Sequence, residues 1–247
     1  MSFLEHLDEL RTRIVRSLLA VAVGILVSFT FINRVSDFLL TPTRRVLPPG
    51  STMIYTQPGE AFSFNIQIAL IAGVVLAGPV IMYQVWLFVA PGLYSNEKRL
   101  AIPFVVLTTL GFVLGASFNH WVAFPVMMRF FASFNTPDLT FLPRLEDVFG
   151  LYTKMLIGMG LVFQMPTVVF FLAKIRLVTA GFLWKNLRYA ILITFIIAAV
   201  VTPTGDPVNQ SIFAAPMILL YLVSILIAWI MNPIRRRKHT DESSSEH

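Results

Sequence analysis

The chain has 247 residues, of which 56% are hydrophobic and only 13% are charged, and its mean hydropathy is +0.75. About one quarter of the residues in a soluble domain are charged, so this composition excludes an ordinary water-soluble protein and indicates an integral membrane protein. The lack of cysteine excludes disulfides, thiolate metal sites and a cysteine nucleophile, and the net charge of +6 comes from cations beside apolar runs, a pattern that does not indicate nucleic-acid binding.

The amino terminus predicts a short amphipathic helix over residues 1–13 that lies on the cytoplasmic surface of the membrane. Its first residues, Ser2-Phe3-Leu4-Glu5, fit a capping box. Apolar residues recur at helical spacing along one face, at Phe3, Leu7, Leu10 and Ile14. The opposite face is charged, and a solvated face with local ion pairs remains an alternative to a functional surface.

Six apolar runs predict transmembrane helices and, with them, an all-α polytopic membrane fold in a single domain over residues 1–232. The runs cover residues 14–32, 61–89, 100–124, 148–173, 187–201 and 212–231. The first run follows arginines as a signal peptide does, but it is longer than a typical signal core and has no small-residue cleavage site, so we interpret it as a retained span. Gly78-Pro79 and Pro166 predict kinks in the second and fourth spans. The fifth run covers only about 22 Å of a hydrocarbon core that is about 30 Å thick.

The distribution of lysine and arginine predicts that both termini are cytoplasmic. Thirteen of these residues fall on the side of the membrane that holds both termini, and five fall on the other side. Because positive residues concentrate in cytoplasmic loops, we expect an N-in/C-in topology.

Two larger loops, at 33–60 and 125–147, are predicted to lie on the outer face. Both contain several prolines, which makes them stiffer than glycine-serine linkers. They form either a cap over that face or simple connectors, and the sequence leaves both readings open.

The tail over 233–247 has a basic cluster followed by polar residues, which predicts disorder and contact of the cluster with anionic lipid headgroups.

The spans offer little chemistry for coupled transport or catalysis. All thirteen acidic residues fall outside the apolar interiors of the spans, whereas ion-coupled transporters usually carry carboxylates near mid-membrane. No zinc-protease, Walker A or serine-hydrolase motif is present. Two alternatives stay open: a small-solute secondary transporter, and an intramembrane hydrolase that uses Ser117 and His120.

Four polar residues are candidates for an intramembrane site. They are Gln84, Asn119, Lys154 and Gln164. Gln164 lies deepest in its span, where an amide needs either another helix or a water-filled cavity as its partner. Lys154 lies about 9 Å from the outer end of its helix and is expected to extend its amine outward.

Two carboxylates are expected on the cytoplasmic face. Glu97 is the only acid in the loop between the second and third spans, and Glu9 belongs to the amino-terminal helix. Carboxylates bind guanidinium groups through paired, charge-assisted hydrogen bonds, so two of them favour a cationic ligand with arginines. The alternative for Glu97 is a local salt bridge to Lys98 or Arg99.

Three parts of the sequence form one recognisable pattern. They are Phe3-Leu4-Glu5-His6-Leu7-Asp8-Glu9-Leu10-Arg11-Thr12-Arg13, then Gly78 to Tyr94 with Glu97-Lys98-Arg99, and then Thr202-Pro203, Asp206 and Ala215-Pro216-Met217. This pattern resembles the TatC family, the signal-receptor subunits of twin-arginine protein translocases. It extends from residue 3 to about residue 230.

The resemblance implies a receptor that binds twin-arginine signal peptides of folded cargo proteins at the cytoplasmic face of a bacterial inner membrane. Partners would be TatA- and TatB-type single-span proteins, membrane lipids and further copies of the chain, with energy from the proton-motive force and no cofactor, metal, nucleic acid or enzymatic step. The family's signal-binding positions correspond to Glu9, Glu97, Arg11, Arg13 and Phe88. Many members have a glutamate where this chain has Gln164, and the amide keeps the hydrogen bonding but loses the charge.

Overall fold

The computed structural model describes residues 3–47, 52–89, 101–136, 140–202 and 206–231. These ranges are helical apart from short connections, with an isolated bridge between Ile54 and Arg144. The helices are α1 (Phe3–Thr30), α2 (Ile32–Arg44), α3 (Glu60–Val89), α4 (Ala101–Phe118), α5 (Phe124–Ala132), α6 (Leu145–Val162), α7 (Met165–Lys174), α8 (Ala180–Lys185), α9 (Leu187–Val201) and α10 (Pro207–Met231). The predicted helical membrane fold is therefore confirmed. Glu97 and the predicted disordered tail over 233–247 lie outside the described residues.

A separate surface helix over residues 1–13 is not found. Instead, α1 is continuous from Phe3 to Thr30 and carries the amino-terminal segment directly into the first apolar run. The physical reason is that the apolar spacing of Leu7, Leu10 and Ile14 continues into the run without a proline to end the helix.

The third predicted span is longer than expected. A π-helical turn, Asn119–Ala123, joins α4 directly to α5, so helix continues to Ala132 through a segment that was predicted as loop. Pro125 lies at the start of α5, directly after the π-helical turn, and does not end the helix.

Within the described ranges, five helical segments are long and apolar enough to cross a membrane. They are Leu4–Thr30, Glu60–Phe88, Ile102–Ala132, Leu145–Lys174 and Pro207–Met231, while Leu187–Val201 is apolar but shorter. The six-span count thus stays a prediction that depends on how α9 sits in the bilayer.

Close helix packing fixes the register of α1 against α3. A Cβ atom added to Gly24 would lie 2.5 Å from the Gly73 carbonyl oxygen, and one added to Gly73 would lie 2.7 Å from the Ile25 backbone nitrogen. Small residues allow such close contact, which is the usual way in which membrane helices pack. The two helices run antiparallel, so the start of α1 lies beside the end of α3. We call this the N-terminal end of the bundle and the opposite one the far end.

At the far end, Glu60 joins the two loops that were expected on one face. Its carboxylate accepts hydrogen bonds from the backbone N–H groups of Thr56 (2.9 Å) and Glu146 (3.2 Å) and pairs with Arg144 at 3.5 Å. Ile54 also exchanges backbone hydrogen bonds with Pro143 and Leu145 across the same contact. The two loops are therefore bonded to each other, as a cap requires, rather than independent connectors.

Candidate functional site

At the N-terminal end, two charged residues of α1 meet a buried amide of α3. Arg13 Nη2 donates to Glu9 Oε1 at 2.9 Å, and Arg13 Nη1 lies 3.5 Å from Gln84 Oε1. Glu9 and Arg13 are four residues apart and so lie on one face of the helix. This arrangement brings together residues 71 positions apart in the sequence.

The Glu9 carboxylate is only half satisfied. Its second oxygen, Oε2, is buried and has no hydrogen-bond partner among the described residues, and the same is true of Arg13 Nε. The side chains of Glu9 and Arg13 are 17% and 20% exposed. A buried acceptor without a partner costs about 1–3 kcal/mol, and more for a charged group. Glu9 is therefore ready to accept a further donor.

An aromatic contact lies beside this ion pair. The rings of His6 and Phe88 stack with centroids 4.5 Å apart and planes inclined by 22°. Each ring is one helical turn from a member of the polar contact, because His6 precedes Glu9 by three residues and Phe88 follows Gln84 by four. The site thus combines a carboxylate with an adjacent aromatic surface, a pair of features that suits a guanidinium ligand.

The predicted site residues are only partly brought together. Glu9, Arg13 and Phe88 share the α1–α3 contact, whereas Arg11 is exposed and contributes no hydrogen bond or ion pair to it within the described ranges. Glu97, the second predicted carboxylate, lies outside the described residues.

Gln164 lies at the break between α6 and α7 and bonds to a neighbouring helix. Its amide nitrogen donates to the Thr108 carbonyl oxygen of α4 at 3.0 Å, while its carbonyl oxygen is buried without a partner in the described structure. Gly111 permits this contact, because a Cβ atom there would lie 2.9 Å from the Phe163 carbonyl oxygen. The interhelical hydrogen bond that was one reading of Gln164 is present, and one acceptor remains open.

The residues of the hydrolase alternative do not form a catalytic pair. His120 Nδ1 lies 3.1 Å from the Tyr152 hydroxyl, and the imidazole stacks on Phe38 with centroids 4.0 Å apart. Both contacts hold the ring in a packed position, and neither involves Ser117. No group of three metal-ligating side chains occurs in the described part of the chain.

The two remaining intramembrane candidates differ in their surroundings. Lys154 is exposed and lines a cavity of about 700 Å³ at the far end together with Glu146 and Asp147, as an outward-reaching amine would. Asn119 is completely buried at the start of the π-helical turn, and its amide oxygen Oδ1 has no hydrogen-bond partner among the described residues.

The contacts of Gln84 and Glu60 are not predictable from the sequence alone, in which Gln84 is an isolated intramembrane amide and Glu60 is the end of a loop. The position of Gln84 one turn before Phe88 was a usable signal, because it places both on one face of α3. For Glu60, the preceding Pro58-Gly59 indicates a turn that a carboxylate can cap, but the link to the second loop has no local signal.

A family model described as Sec-independent protein translocase protein (TatC) matches residues 5–216. A Sec-independent protein translocase protein TatC from Koribacter versatilis is 40% identical over 252 residues, covering 100% of this chain and 92% of the relative. A protein of the same name from Desulforapulum autotrophicum is 40% identical and covers 98% of this chain and 88% of its own length. A crystal structure of the twin arginine translocase receptor TatC superposes with a TM-score of 0.79 at 33% identity, covering 92% of this chain and 99% of the other.

Proposed function

We propose, from the premise that this chain belongs to the TatC family, that the α1–α3 contact at its N-terminal end binds the arginines of twin-arginine signal peptides. The chain is a component of the Sec-independent, twin-arginine protein translocase and a multi-pass membrane protein. The single observation that supports the binding site best is the buried Glu9 oxygen, which has no hydrogen-bond partner in the described part of the chain.

In this proposal, Arg13 positions the carboxylate and Glu9 binds the signal. Arg13 holds Oε1 at 2.9 Å, and Oε2, which has no partner among the described residues, accepts from a guanidinium of the signal peptide. Charge-assisted hydrogen bonds of this kind are about twice as strong as neutral ones. Since a bound guanidinium removes an unsatisfied buried acceptor, the complex recovers free energy that the empty site lacks.

Glu97 is proposed to bind the second arginine of the signal, as the family resemblance implies. Phe88, held by the stack on His6, then supplies an apolar surface for the side chains next to the arginines. Arg11, being exposed, is proposed to contact peptide carbonyl groups or anionic headgroups and not to shape the carboxylate.

Gln164 is proposed to receive a single-span partner of the TatA or TatB type. Its carbonyl oxygen, which has no partner among the described residues, is an acceptor inside the bundle, and interhelical hydrogen bonds in membranes contribute about 0.6 kcal/mol on average and up to about 1.7. An amide performs this role without a charge. Translocation would draw on the proton-motive force, and the proposal includes no catalytic step.

The site requires a defined topology. We propose six crossings with both termini in the cytoplasm of a bacterial cell, with α9 as the fifth crossing. Its 15 residues span only about 22 Å, so the bilayer must thin around it. No feature of the described residues favours the alternative of a small-solute transporter.

Photo-crosslinking from the signal peptide tests the proposed site. A photoreactive residue placed next to the arginine pair of the peptide should crosslink to the parent chain. It should crosslink equally well to the control variant Asp8→Asn, which lacks an exposed carboxylate one position from Glu9. The Glu9→Gln chain should crosslink roughly tenfold less. Equal crosslinking of all three chains would show that Glu9 does not bind the signal.

A further inference from the structure

Two cavities meet at the far end of the bundle and share a wall. One has a volume of about 850 Å³ and contains charged side chains, and the other has a volume of about 560 Å³ and an almost wholly apolar lining. Phe38, His120 and Trp121 line both cavities. A ligand with a polar part joined to an apolar part can therefore occupy both at once.

The first cavity presents two arginines. Arg45, directly after α2, and Arg129, on α5, line it, and both residues are exposed. Neither forms an ion pair with a carboxylate of the described ranges, whereas the neighbouring Arg44 pairs with Asp37 at 3.0 Å. Two free guanidinium groups in a concave surface favour an anion with several acceptor oxygens, such as a phosphodiester.

The second cavity lies deeper in the bundle, between α1, α3 and α4. Val27, Ile71 and Val113 line it from these three helices. The hydroxyl of Ser28, which also lines it, donates to the Gly24 carbonyl oxygen at 2.8 Å and so offers no free donor. Because its lining is almost wholly apolar, this cavity suits a hydrocarbon chain rather than a soluble anion.

The shared wall is held in place. The π-helical turn supplies both His120 and Trp121, and turns of this type are frequent at functional sites. His120 is fixed by its contacts with Phe38 and Tyr152. Trp121, which is 60% exposed, has the mixed polar and apolar character typical of side chains at the membrane interface.

We propose that these two cavities bind one anionic phospholipid, with its phosphate on Arg45 and Arg129 and an acyl chain in the apolar cavity. The order of the cavities along the bundle matches a lipid molecule, because the charged cavity lies toward the far end and the apolar one lies within the spans. The bound lipid fills the groove between α1 and α4 and contacts α2 and α5 at the far end.

Native mass spectrometry of the purified chain with added lipid tests this site. The probes are phosphatidylglycerol, phosphatidylcholine and inorganic phosphate. We expect retention of one phosphatidylglycerol, weaker retention of phosphatidylcholine and none of phosphate. The Arg45→Gln/Arg129→Gln chain should lose retention of phosphatidylglycerol roughly tenfold or more, because two charge-assisted contacts are removed. Arg34→Gln is the matched control, since Arg34 is an exposed cation of α2 that does not line the cavity.

A second pair of variants tests the acyl chain. Ala116→Phe places a ring in the apolar cavity without changing charge, and Ala199→Phe adds the same ring on the exposed surface of α9. Ala116→Phe should reduce lipid retention and Ala199→Phe should not. The proposal would be overturned if all variants retained phosphatidylglycerol equally, or if Arg34→Gln lost as much of it as Arg45→Gln/Arg129→Gln. It would also be overturned if inorganic phosphate bound in a way that depends on Arg45 and Arg129 but not on Ala116, because the cavity would then be a site for a soluble anion.

Discussion

Arg13 holds one oxygen of the Glu9 carboxylate at 2.9 Å, and the other oxygen is buried without a partner among the residues that the structure describes. The same guanidinium reaches Gln84 of α3, so the ion pair is also a link between two helices. The contact therefore has two consequences that experiments can separate, one for stability and one for binding.

The first prediction concerns the stability of this link. Arg13→Gln removes the partner of Glu9 and should lower the free energy of unfolding by about 1–3 kcal/mol, which corresponds to a fall in Tm of roughly 3–10 °C. Arg11→Gln is the matched control because Arg11 is exposed on the same helix, and its Tm should change by about 1 °C or less. Thermal unfolding in detergent measures both. Equal Tm values for the two variants would mean that the contact of Arg13 with Glu9 does not stabilise the fold.

The second prediction concerns the glycine contact between α1 and α3. Gly24→Ala puts a Cβ atom 2.5 Å from the Gly73 carbonyl oxygen, so the helices must separate at a cost of about 1–3 kcal/mol. Tm should fall, and signal binding should weaken because Glu9 and Phe88 lie on the two separated helices. Gly150→Ala is the control, since no atom of the described residues lies within 4 Å of a Cβ atom there. A Gly24→Ala chain as stable as Gly150→Ala would contradict the close packing.

The third prediction tests Glu60 as the residue that joins the far-end loops. Glu60→Ala leaves the backbone N–H groups of Thr56 and Glu146 without their acceptor, and Tm should fall by roughly 5 °C. Glu146→Gln removes only an exposed carboxylate 3.8 Å from Arg144, so its effect should be small. Hydrogen exchange should locate the loss of protection at Thr56 and Glu146. Protection unchanged at those two amides would exclude the joining role.

The fourth prediction concerns Gln164. Gln164→Leu removes the bond to Thr108 and the free acceptor together, and co-purification of a single-span partner should fall about threefold or more. Gln164→Glu keeps a polar group at the same position and should retain the partner better than leucine does. Gel filtration of the variant alone checks that it remains folded. A folded Gln164→Leu chain that retains its partner fully would remove this residue from the partner site.

Much of the helical fold could be predicted from the apolar runs, and the limits of the prediction have physical causes. The run 187–201 coincides with α9 because polar residues flank both of its ends, with Lys185-Asn186 before it and Thr202 after it. The charged face of the amino-terminal segment led to the prediction of a separate surface helix. The apolar spacing continues without a break into the first apolar run, and the two therefore form one helix, α1. The extension to Ala132 depends on a π-helical turn, a backbone feature for which composition gives no signal.

The candidate site, too, could be predicted from the sequence only in part. Glu9 and Phe88 could be named from the sequence because the family motif includes them. The bond from Arg13 to Gln84 could not, since it depends on the register that Gly24 and Gly73 set between two helices. Gln164 was predicted to need a partner, but the choice of the Thr108 carbonyl depends on how α4 packs against the break before α7.

A double-mutant cycle between Glu9 and the arginines of a signal peptide tests the central proposal most directly. The Kd of the peptide would be measured for the parent chain, Glu9→Gln and Asp8→Asn, each with arginine or its neutral analogue citrulline at either position of the pair. The account predicts a coupling of about 1.5–3 kcal/mol between Glu9 and one of the arginines, and none for Asp8. A Glu9→Gln chain that distinguishes arginine from citrulline as strongly as the parent chain does would contradict it.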